Sequence, residues 1–321
     1  MIRSSKLCLA VVASLFLVLL WFFLRESHET PAIETTKPNG NLRIVFDRGL
    51  SSVAVEIVRT ITDPPFLQVT PSRNDSCKNF PGEIVRTRGF FAPVETSLFH
   101  HLLKEGCHRT SGGKQPLVVD VGGNIGYFAN YAASCGCRVI VFEPIPNIIR
   151  YLNLTVAVNG FQNRIAVHQS AASDKVGKGS ASMNCYDTGL SGVNSKGDIG
   201  IVMEKIDDVV SEDVLLLKID TEGYEDAVLR GAEKLFANHK VDNIICETKK
   251  NNDIQYKVDF INSMIDSGYK VGSYQEHYPG EVNFWSSRLS QSFDFSLLKD
   301  IASVDRTDWI PHEDLWFRKI E

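Results

Sequence analysis

The stretch from Leu117 to Glu143 constrains the fold of this chain more than any other part of the sequence. The apolar run Leu117–Val119 meets Asp120, and a glycine-rich turn, a helical segment and a second apolar run ending at Glu143 follow. A strand, a glycine turn, a helix start and an acid at the end of the next strand together build a nucleotide-sized crevice. The carboxylate of Glu143 can accept hydrogen bonds from both hydroxyls of a ribose. We therefore expect a nucleoside-containing cofactor to bind here.

The order of the glycines distinguishes between two kinds of cofactor. A dinucleotide site uses G-x-G-x-x-G, and in the best register of this chain Val121 stands where the first glycine should be. The chain instead reads D-x-G-x-N-x-G, with Asp120, Gly122, Asn124 and Gly126. This arrangement resembles the first motif of class I S-adenosylmethionine (SAM) methyltransferases. SAM has no pyrophosphate to cradle, and Asp120 suits the ammonium group of its amino-acid tail.

The pattern from Leu117 onward predicts an α/β fold. Apolar runs alternate with helical segments, which is typical of a mostly parallel, Rossmann-like sheet with helices on both faces. Two late runs, Tyr269–Val271 and Leu315–Ile320, are expected to add the final antiparallel hairpin of a class I methyltransferase sheet. Segment 174–200, rich in Gly, Ser, Asn and Asp, is expected to be a hairpin or a mobile loop. Strands are predicted at 117–121, 138–142, 164–169, 213–219 and 242–246, and helices at 124–134, 146–158, 222–237 and 253–267.

A second motif follows the fourth predicted strand. The run Val214–Ile219 is apolar apart from Lys218, as a central parallel strand should be, and Asp220 and Glu222 come directly after it. Because open α/β sheets bind ligands at the carboxyl ends of their strands, we expect these acids beside the first motif. Asp220 or Thr221 can cap the helix that follows.

The string KIDTEGYEDAVLRGA, from Lys218 to Ala232, resembles the hallmark of the FkbM-type methyltransferase family. The resemblance covers roughly residues 95–250 and thins after Lys250. It implies SAM-dependent O-methylation, commonly of a hydroxyl on a sugar or a polyketide. Other parts of the chain resemble the family in the same order: Val119–Gly126, Phe142–Pro144, Leu152-Asn153 with Asn159-Gly160, Ala171 with Ser173-Asp174, Ile206–Asp208 and Glu247.

The expected site has a cofactor half and a catalytic half. The predicted cofactor-binding residues are Asp120, Gly122, Asn124, Gly126, Glu143, Ser170 and Ala171. An alcohol is a poor nucleophile, so a carboxylate near the acceptor would help as a base. The candidates are Asp220, Glu222 and Glu247, unranked, although Glu222 could instead only complement a helix dipole and Glu225 could be structural. No metal site is predicted, because two carboxylates alone do not make one.

The N-terminus is expected to lie outside the fold. Leu7–Leu24 is a run of about 18 residues without a charge, long enough to span a membrane, and Arg3 and Lys6 before it favour a cytoplasmic N-terminus. A cleaved signal peptide is the alternative, but no A-x-A-like cleavage site follows the run. The predicted organisation is a cytoplasmic tail (1–6), a transmembrane signal anchor (7–24), a stem (25–41), an N-terminal extension (42–110) and a methyltransferase domain (111–321).

This organisation predicts a single-pass type II membrane protein of the Golgi or another secretory membrane, secreted if the anchor is cleaved. Its acceptor would be a small molecule or a glycan. Asn74 begins a glycosylation sequon, and Cys77 is expected to form a disulfide with Cys107. The net charge of −5 argues against a nucleic-acid partner.

Two other functions fit parts of the sequence. A lumenal glycosyltransferase would share the anchor and stem, and Asp220-Thr221-Glu222 loosely imitates a metal-binding D-x-D, but it would leave Asp120–Gly126 and Glu143 unexplained. A non-catalytic, membrane-anchored trafficking or scaffold protein could keep the fold. Such a protein would be expected to have lost Asp120, Gly122 or Glu143, and all three are present.

Overall fold

The first part of the chain builds a small antiparallel sheet and two helices. The computed structural model describes residues 32–35, 42–47, 52–72, 75, 77, 79–109, 113–184, 187, 190–247, 254–274, 299–300 and 314–320. In the N-terminal part of these ranges, the four strands pair in sequence order, each antiparallel to the next. The elements are β1 (Ala32–Thr35), β2 (Leu42–Asp47), β3 (Ser52–Arg59), β4 (Leu67–Pro71), α1 (Phe80–Arg88) and α2 (Pro93–Gly106).

From Leu117 the chain alternates strands and helices, as predicted. The elements are β5 (Leu117–Val121), α3 (Tyr127–Ser134), β6 (Arg138–Phe142), α4 (Pro146–Asn159), β7 (Ile165–His168), β8 (Ala171–Ala172), β9 (Gly177–Ser182), β10 (Gly192–Val193), β11 (Ile199–Glu204), α5 (Ile206–Val209), β12 (Val214–Ile219), α6 (Glu225–Arg230), α7 (Glu233–Asn238), β13 (Val241–Glu247), α8 (Ile254–Asp266), β14 (Tyr269–Tyr274), β15 (Lys299–Asp300) and β16 (Asp314–Lys319).

The central sheet has eight strands in the order β15-β14-β16-β13-β12-β5-β6-β7. Strands β13, β12, β5, β6 and β7 run parallel, whereas β16 is antiparallel to both β13 and β14. The expected architecture, a mostly parallel sheet with a final antiparallel hairpin, is therefore confirmed. Strand β12 is almost fully buried because it lies between two parallel neighbours, which explains its continuous apolar run.

Two predicted helices begin or end elsewhere for identifiable reasons. The helix predicted from residue 124 begins at Tyr127, because Asn124 and Gly126 adopt left-handed backbone conformations with φ of 47° and 85°. The helix predicted over 222–237 begins only at Glu225, since Glu222 has a φ of 60°. It is also interrupted after Arg230, where the Asp207 carboxylate accepts from two backbone N–H groups at the start of α7.

Segment 174–200 contributes to a second, smaller sheet. Strands β9 and β10 pair as an antiparallel hairpin, which was one of the two expected alternatives for this segment. Strand β9 also pairs with β11. The short strand β8 runs parallel to β11 at the other edge of this sheet. Strand β11 thus lies between the hairpin and β8, which follows β7 closely along the chain.

The N-terminal extension shares a core with the larger sheet. Val58 and Phe66 belong to the same buried cluster as Tyr131 and Leu152 of α3 and α4. The Gln68 side-chain amide also donates to the backbone oxygen of Ile125, at 2.9 Å, and so joins β4 to the glycine-rich turn. The extension therefore supports the turn that follows β5.

A disulfide connects the end of α2 to the start of β6. Cys107 pairs with Cys137, with their Cα atoms 4.8 Å apart, so the predicted pairing of Cys77 with Cys107 is wrong. Which cysteine lies next to Cys107 depends on how α2 packs against the sheet. The spacing of cysteines along the sequence does not reveal this packing. Cys246 is a buried free thiol, as expected for a small apolar residue in a strand.

Several predictions lie outside the described residues. These include the anchor at 7–24 and the sequon residue Asn74, and the domain boundaries also stay predictions. Among the helices in the described ranges, none is long and apolar enough to cross a membrane.

Candidate active site

A cavity of about 810 Å³ opens at the carboxyl ends of β5, β6, β12 and β13. This is the edge at which parallel sheets of this kind bind ligands, and the volume suits a small-molecule site. The cavity brings together the two sequence motifs, the turn after β7 and part of the N-terminal extension. All predicted site residues line it except Gly126, which lies at the start of α3 behind the turn.

Asp120, near the end of β5, is the most unusual acid in the cavity. Its side chain is 1% exposed, and neither carboxylate oxygen has a hydrogen-bond partner. Burial raises the pKa of Asp120 to about 6, opposed in part by the positive charge of Lys218 and reinforced by the negative charge of Asp220. A buried carboxylate without a donor is costly, and this one faces a cavity. It is therefore well suited to a ligand that brings its own donors and a positive charge.

The glycines of the first motif are required by the protein's own packing. Gly122 has a φ of 83°, and a Cβ atom there would overlap the backbone oxygen of Asp220. Gly126 has a φ of 85°, and a Cβ atom there would lie 2.8 Å from Leu152 of α4. Gly122 therefore allows the turn after β5 to approach the end of β12, so the two motifs are in contact through backbone atoms.

The Asn124 side chain is occupied by contacts within the protein. Its Oδ1 atom accepts from the Asn79 side-chain amide at 3.0 Å and from the Ile125 backbone N–H at 2.8 Å. Asn79 precedes α1 in the N-terminal extension. The Asn124 side chain thus fastens the glycine-rich turn to the extension, while its backbone N–H donates to Glu143.

Glu143, at the end of β6, is held rigidly at the cavity wall. One carboxylate oxygen accepts from the Asn124 N–H at 2.9 Å and the other from the Ile145 N–H at 2.8 Å. Burial raises the pKa of Glu143 to about 7, although both of these backbone hydrogen bonds oppose the increase. Each oxygen keeps a second lone pair, so the oriented carboxylate can still accept from two neighbouring hydroxyls.

Ser170 and Ala171 form the cavity wall after β7. The Ser170 hydroxyl donates to Glu204 of β11, which also contacts His168 at 2.9 Å. These contacts hold the turn against the smaller sheet. Both predicted residues therefore line the cavity, but the Ser170 hydroxyl proton is donated to Glu204 and so is not available to a ligand.

The three predicted catalytic acids lie together in the wall of the cavity. Asp220, Glu222 and Glu247 each have a carboxylate oxygen within 4.8 Å of the others. Burial and then the negative charge of Asp220 raise the pKa of Glu247 far above its usual range. Carboxylates at this spacing can share a proton or hold a cation. That the chain binds no metal stays a prediction.

Two further acids near Asp220, Glu222 and Glu247 have different surroundings. Asp314, the first residue of β16, pairs in register with Glu247 and lines the cavity. Glu225 is 1% exposed, and one of its oxygens accepts from the backbone N–H groups of Thr221 and Gly223 and from the Thr221 hydroxyl, each at 3.0 Å. Glu225 thus stabilises the turn after β12, in agreement with the structural role considered for it. The N-cap of α6 is Tyr224, so the prediction that Asp220 or Thr221 caps this helix is wrong.

Lys218 is a site residue that was not predicted from the sequence. Lys218 is 2% exposed, lines the cavity and places its Nζ atom 3.0 Å from Asp220 Oδ2. The sequence does contain a sign of its importance, because Lys218 is the one charged residue in the apolar run Val214–Ile219. The N-terminal extension also contributes Phe80, Phe91 and Glu95 to the cavity wall. These residues were not predicted, because no local motif marks them.

The fold and this cavity together define a class I methyltransferase-like protein, with its ligand-binding edge at the carboxyl ends of the parallel strands. Residues 120–271 match the family model of the methyltransferase FkbM domain. The matched residues include the first motif, the acid cluster and Lys218, whereas Phe80, Phe91 and Asp314 lie outside them.

Several solved structures are similar to the chain. A methyltransferase FkbM from Methylobacillus flagellatus KT has a TM-score of 0.39 and 15% identity, covering 75% of this chain and 61% of that protein. A proposed methyltransferase from Streptococcus mutans, solved in complex with SAH, has a TM-score of 0.41 and 10% identity, covering 71% and 98%. An rRNA methylase from Streptococcus thermophilus has a TM-score of 0.40 and 10% identity, covering 70% and 95%.

The chain thus spans less than two thirds of the Methylobacillus protein. A comparison with curated protein sequences found no match.

Proposed function

We propose that this protein is a SAM-dependent O-methyltransferase that acts on a hydroxyl group. The observation that carries the proposal is the pair of buried acids at the cofactor side of the cavity. Asp120 has two unpartnered oxygens, and Glu143 is held by two backbone N–H groups one strand away. An ammonium group and a ribose diol are the complementary ligands for these two carboxylates. SAM carries both groups, and methyltransferases of the FkbM family generally use it.

In this proposal the residues of the chain mainly bind and orient. Asp120 accepts from the ammonium group of the amino-acid tail, and Glu143 accepts from the ribose hydroxyls. Ser170 and Ala171 form the wall between them and the smaller sheet. SAM supplies a methyl group activated by its positively charged sulfur. The rate then depends on the alignment of donor and acceptor and on a base for the hydroxyl proton, for which Asp220, Glu222 and Glu247 are the candidates.

The proposed acceptor is a glycan hydroxyl in the secretory pathway. The proposal rests on the apolar run Leu7–Leu24, which would anchor the protein in a Golgi or other secretory membrane with its catalytic domain in the lumen. The cavity is compatible with such a ligand, because Phe80 and Phe91 offer apolar ring surfaces on the side of the cavity that the extension forms.

The first experiment is a calorimetric titration of the full-length protein, in detergent, with SAM and with its demethylated product S-adenosylhomocysteine (SAH). We expect both to bind, and we expect Asp120→Ala to weaken both. Absence of binding by either ligand would refute the enzyme proposal, and binding of a UDP-sugar instead would favour a glycosyltransferase. The acceptor is tested separately by methyl-sugar analysis of cell-surface glycans with the wild-type chain and with Asp120→Ala. Equal methyl-sugar content would count against a glycan acceptor.

A further inference from the structure

Lys218 is a buried cation beside Asp220. It lies on β12, in register with Asp120 of β5 on one side and Ile245 of β13 on the other. Its Nζ atom is 5.0 Å from the centre of the Phe128 ring and 3.0 Å from Asp220 Oδ2. A lysine that is 2% exposed would ordinarily lose its charge unless acids compensate. Here burial acts to lower the pKa of Lys218, but Asp220, Glu95 and Asp120 together raise it, so the ammonium form persists.

Glu95 brings a second acid to Lys218 from outside the matched domain. It lies in the first turn of α2, is 9% exposed, and places its Oε1 atom 3.8 Å from Lys218 Nζ. A position in the first turn also complements the dipole of α2. The dipole alone does not explain why the side chain is buried against Lys218, whereas an ion pair does. Glu95 therefore gives Lys218 a second ion-pair partner besides Asp220.

The neighbouring acid, Glu247, has no comparable cation among the described residues. Its Oε2 atom is buried without a hydrogen-bond partner, and its surroundings raise the pKa of the side chain. Asp220 and Glu247 therefore differ in one respect: the fixed ammonium group of Lys218 donates to Asp220. The titratable groups that face this pair come from the surrounding elements: Lys218, Asp120, Glu143, Glu95, Glu222, Glu225 and Asp314.

We propose that Lys218, held by Glu95, is a positioning residue that keeps Asp220 ionised, so that Asp220 is the base and Glu247 is the member of the pair that carries a proton. The inference deepens the proposed methyl transfer and rests on it for the catalytic role. As the acceptor oxygen forms its bond to the methyl carbon, the bond from that carbon to sulfur breaks and its electron pair stays on sulfur. The hydroxyl proton passes to Asp220. One positive charge on sulfur and one negative charge on Asp220 are neutralised together, which balances the step.

The test is the infrared absorption of protonated carboxyl groups in the full-length protein in detergent at about pH 8.5. Asp120 and Glu143, with pKa values of about 6 and about 7, are then ionised. We expect wild-type protein to show a protonated-carboxyl band that disappears in Glu247→Gln. Persistence of the band in that variant would overturn the proposal, because another acid would then hold the proton.

Lys218→Met tests the cation directly. Without the ammonium group Asp220 and Glu247 become two adjacent, partly buried acids with no fixed cation beside them. We therefore expect Asp220 to take up a proton and the band to increase. An unchanged band in a folded Lys218→Met protein would show that Lys218 does not set the state of Asp220. The matched control is Lys234→Met at an exposed position of α7, which should leave the band as in wild type.

Two features keep the test decisive. If Lys218→Met does not fold, the Glu247→Gln result still decides which acid carries the proton, since that substitution leaves Lys218 and Asp220 in place. Infrared measurement requires neither SAM nor an acceptor. Failure of the wild-type protein to bind SAH would therefore refute the proposed function without affecting the band, whereas a wrong band pattern with normal SAH binding would refute only the inference.

Discussion

Replacing Asp120 with asparagine should stabilise the protein without ligand and weaken its binding of SAM and SAH. The two effects have one origin, because the carboxylate is buried in an apolar sheet and has no donor of its own. The substitution keeps the shape of the side chain and removes its charge. A residue that only supported the fold would show the opposite change in stability.

The size of the effect follows from the pKa of Asp120. Burial and its neighbours raise that pKa from the usual 3.8 to about 6, and each unit corresponds to about 1.36 kcal/mol. Because the folded-state pKa is the higher one, the penalty is absent well below pH 3.8, grows as the pH rises, and is complete above about pH 6. It amounts to about 3 kcal/mol at pH 7.5 and about 1 kcal/mol at pH 4.5. The asparagine amide is itself buried without hydrogen bonds, which costs about 1–2 kcal/mol of the roughly 3 kcal/mol that removing the charge gains at about pH 7.5. The expected net increase in the free energy of unfolding is therefore about 1–2 kcal/mol.

The loss of affinity is worked from the hydrogen bonds that Asp120 would make. A hydrogen bond to a charged group contributes about 1.5–3 kcal/mol, which corresponds to roughly 10- to 100-fold weaker binding of SAH. Thermal unfolding of ligand-free protein at pH 7.5 and 4.5 measures the first effect, and calorimetry with SAH measures the second. Asp208→Asn, an exposed acid on α5, is the matched control and should change neither. A ligand-free Asp120→Asn protein that is less stable than wild type and binds SAH equally well would refute the reasoning.

Two more predictions use the same turn. Gly122→Ala should destabilise the protein by about 2–4 kcal/mol, because the residue has a φ of 83° and its Cβ would overlap the Asp220 oxygen. The control Gly136→Ala, with a φ of 103° and nothing within 4 Å of the new Cβ, should lose only the smaller stability that the backbone strain costs. Equal losses of stability in denaturant unfolding would contradict the overlap argument. SAH binding should weaken as the pH falls through about 7 to 6, since Glu143 and Asp120 then gain protons and lose their capacity as charged acceptors. Calorimetry between pH 5 and 8.5 checks this, and an affinity that stays constant over the range would argue against both contacts.

The part of the site that could be predicted from sequence is the part that sheet geometry determines. Asp120, Glu143, Asp220 and Glu247 each lie at the end of an apolar run, and parallel strands bring their carboxyl ends to one edge. The pattern of runs was enough to place these acids around one cavity. The two late apolar runs in the same way marked β14 and β16, the strands of the final antiparallel hairpin.

The parts that could not be predicted depend on contacts between distant segments. Nothing in the local sequence of α2 indicates that Glu95 reaches Lys218, or that Cys107 meets Cys137. Both contacts arise because the N-terminal extension packs on the same core as α3 and α4. The helix starts were also misplaced, since the left-handed conformation of Asn124 is imposed by contacts to the extension that no propensity describes.

The role of Gly122 shows how the structure changes the meaning of a motif. A glycine in a cofactor motif suggests close approach of a ligand, yet the atom that excludes a side chain there is the backbone oxygen of Asp220. The cofactor half and the acceptor half of the site are therefore built as one unit. Lys218 joins them electrostatically, because its charge acts on both Asp120 and Asp220. A cation bound at Asp120 would add positive charge beside this group and favour the ionised form of Asp220 as well. Binding of the cofactor and readiness of the base are thus expected to be coupled, which a site assembled from independent acids would not show.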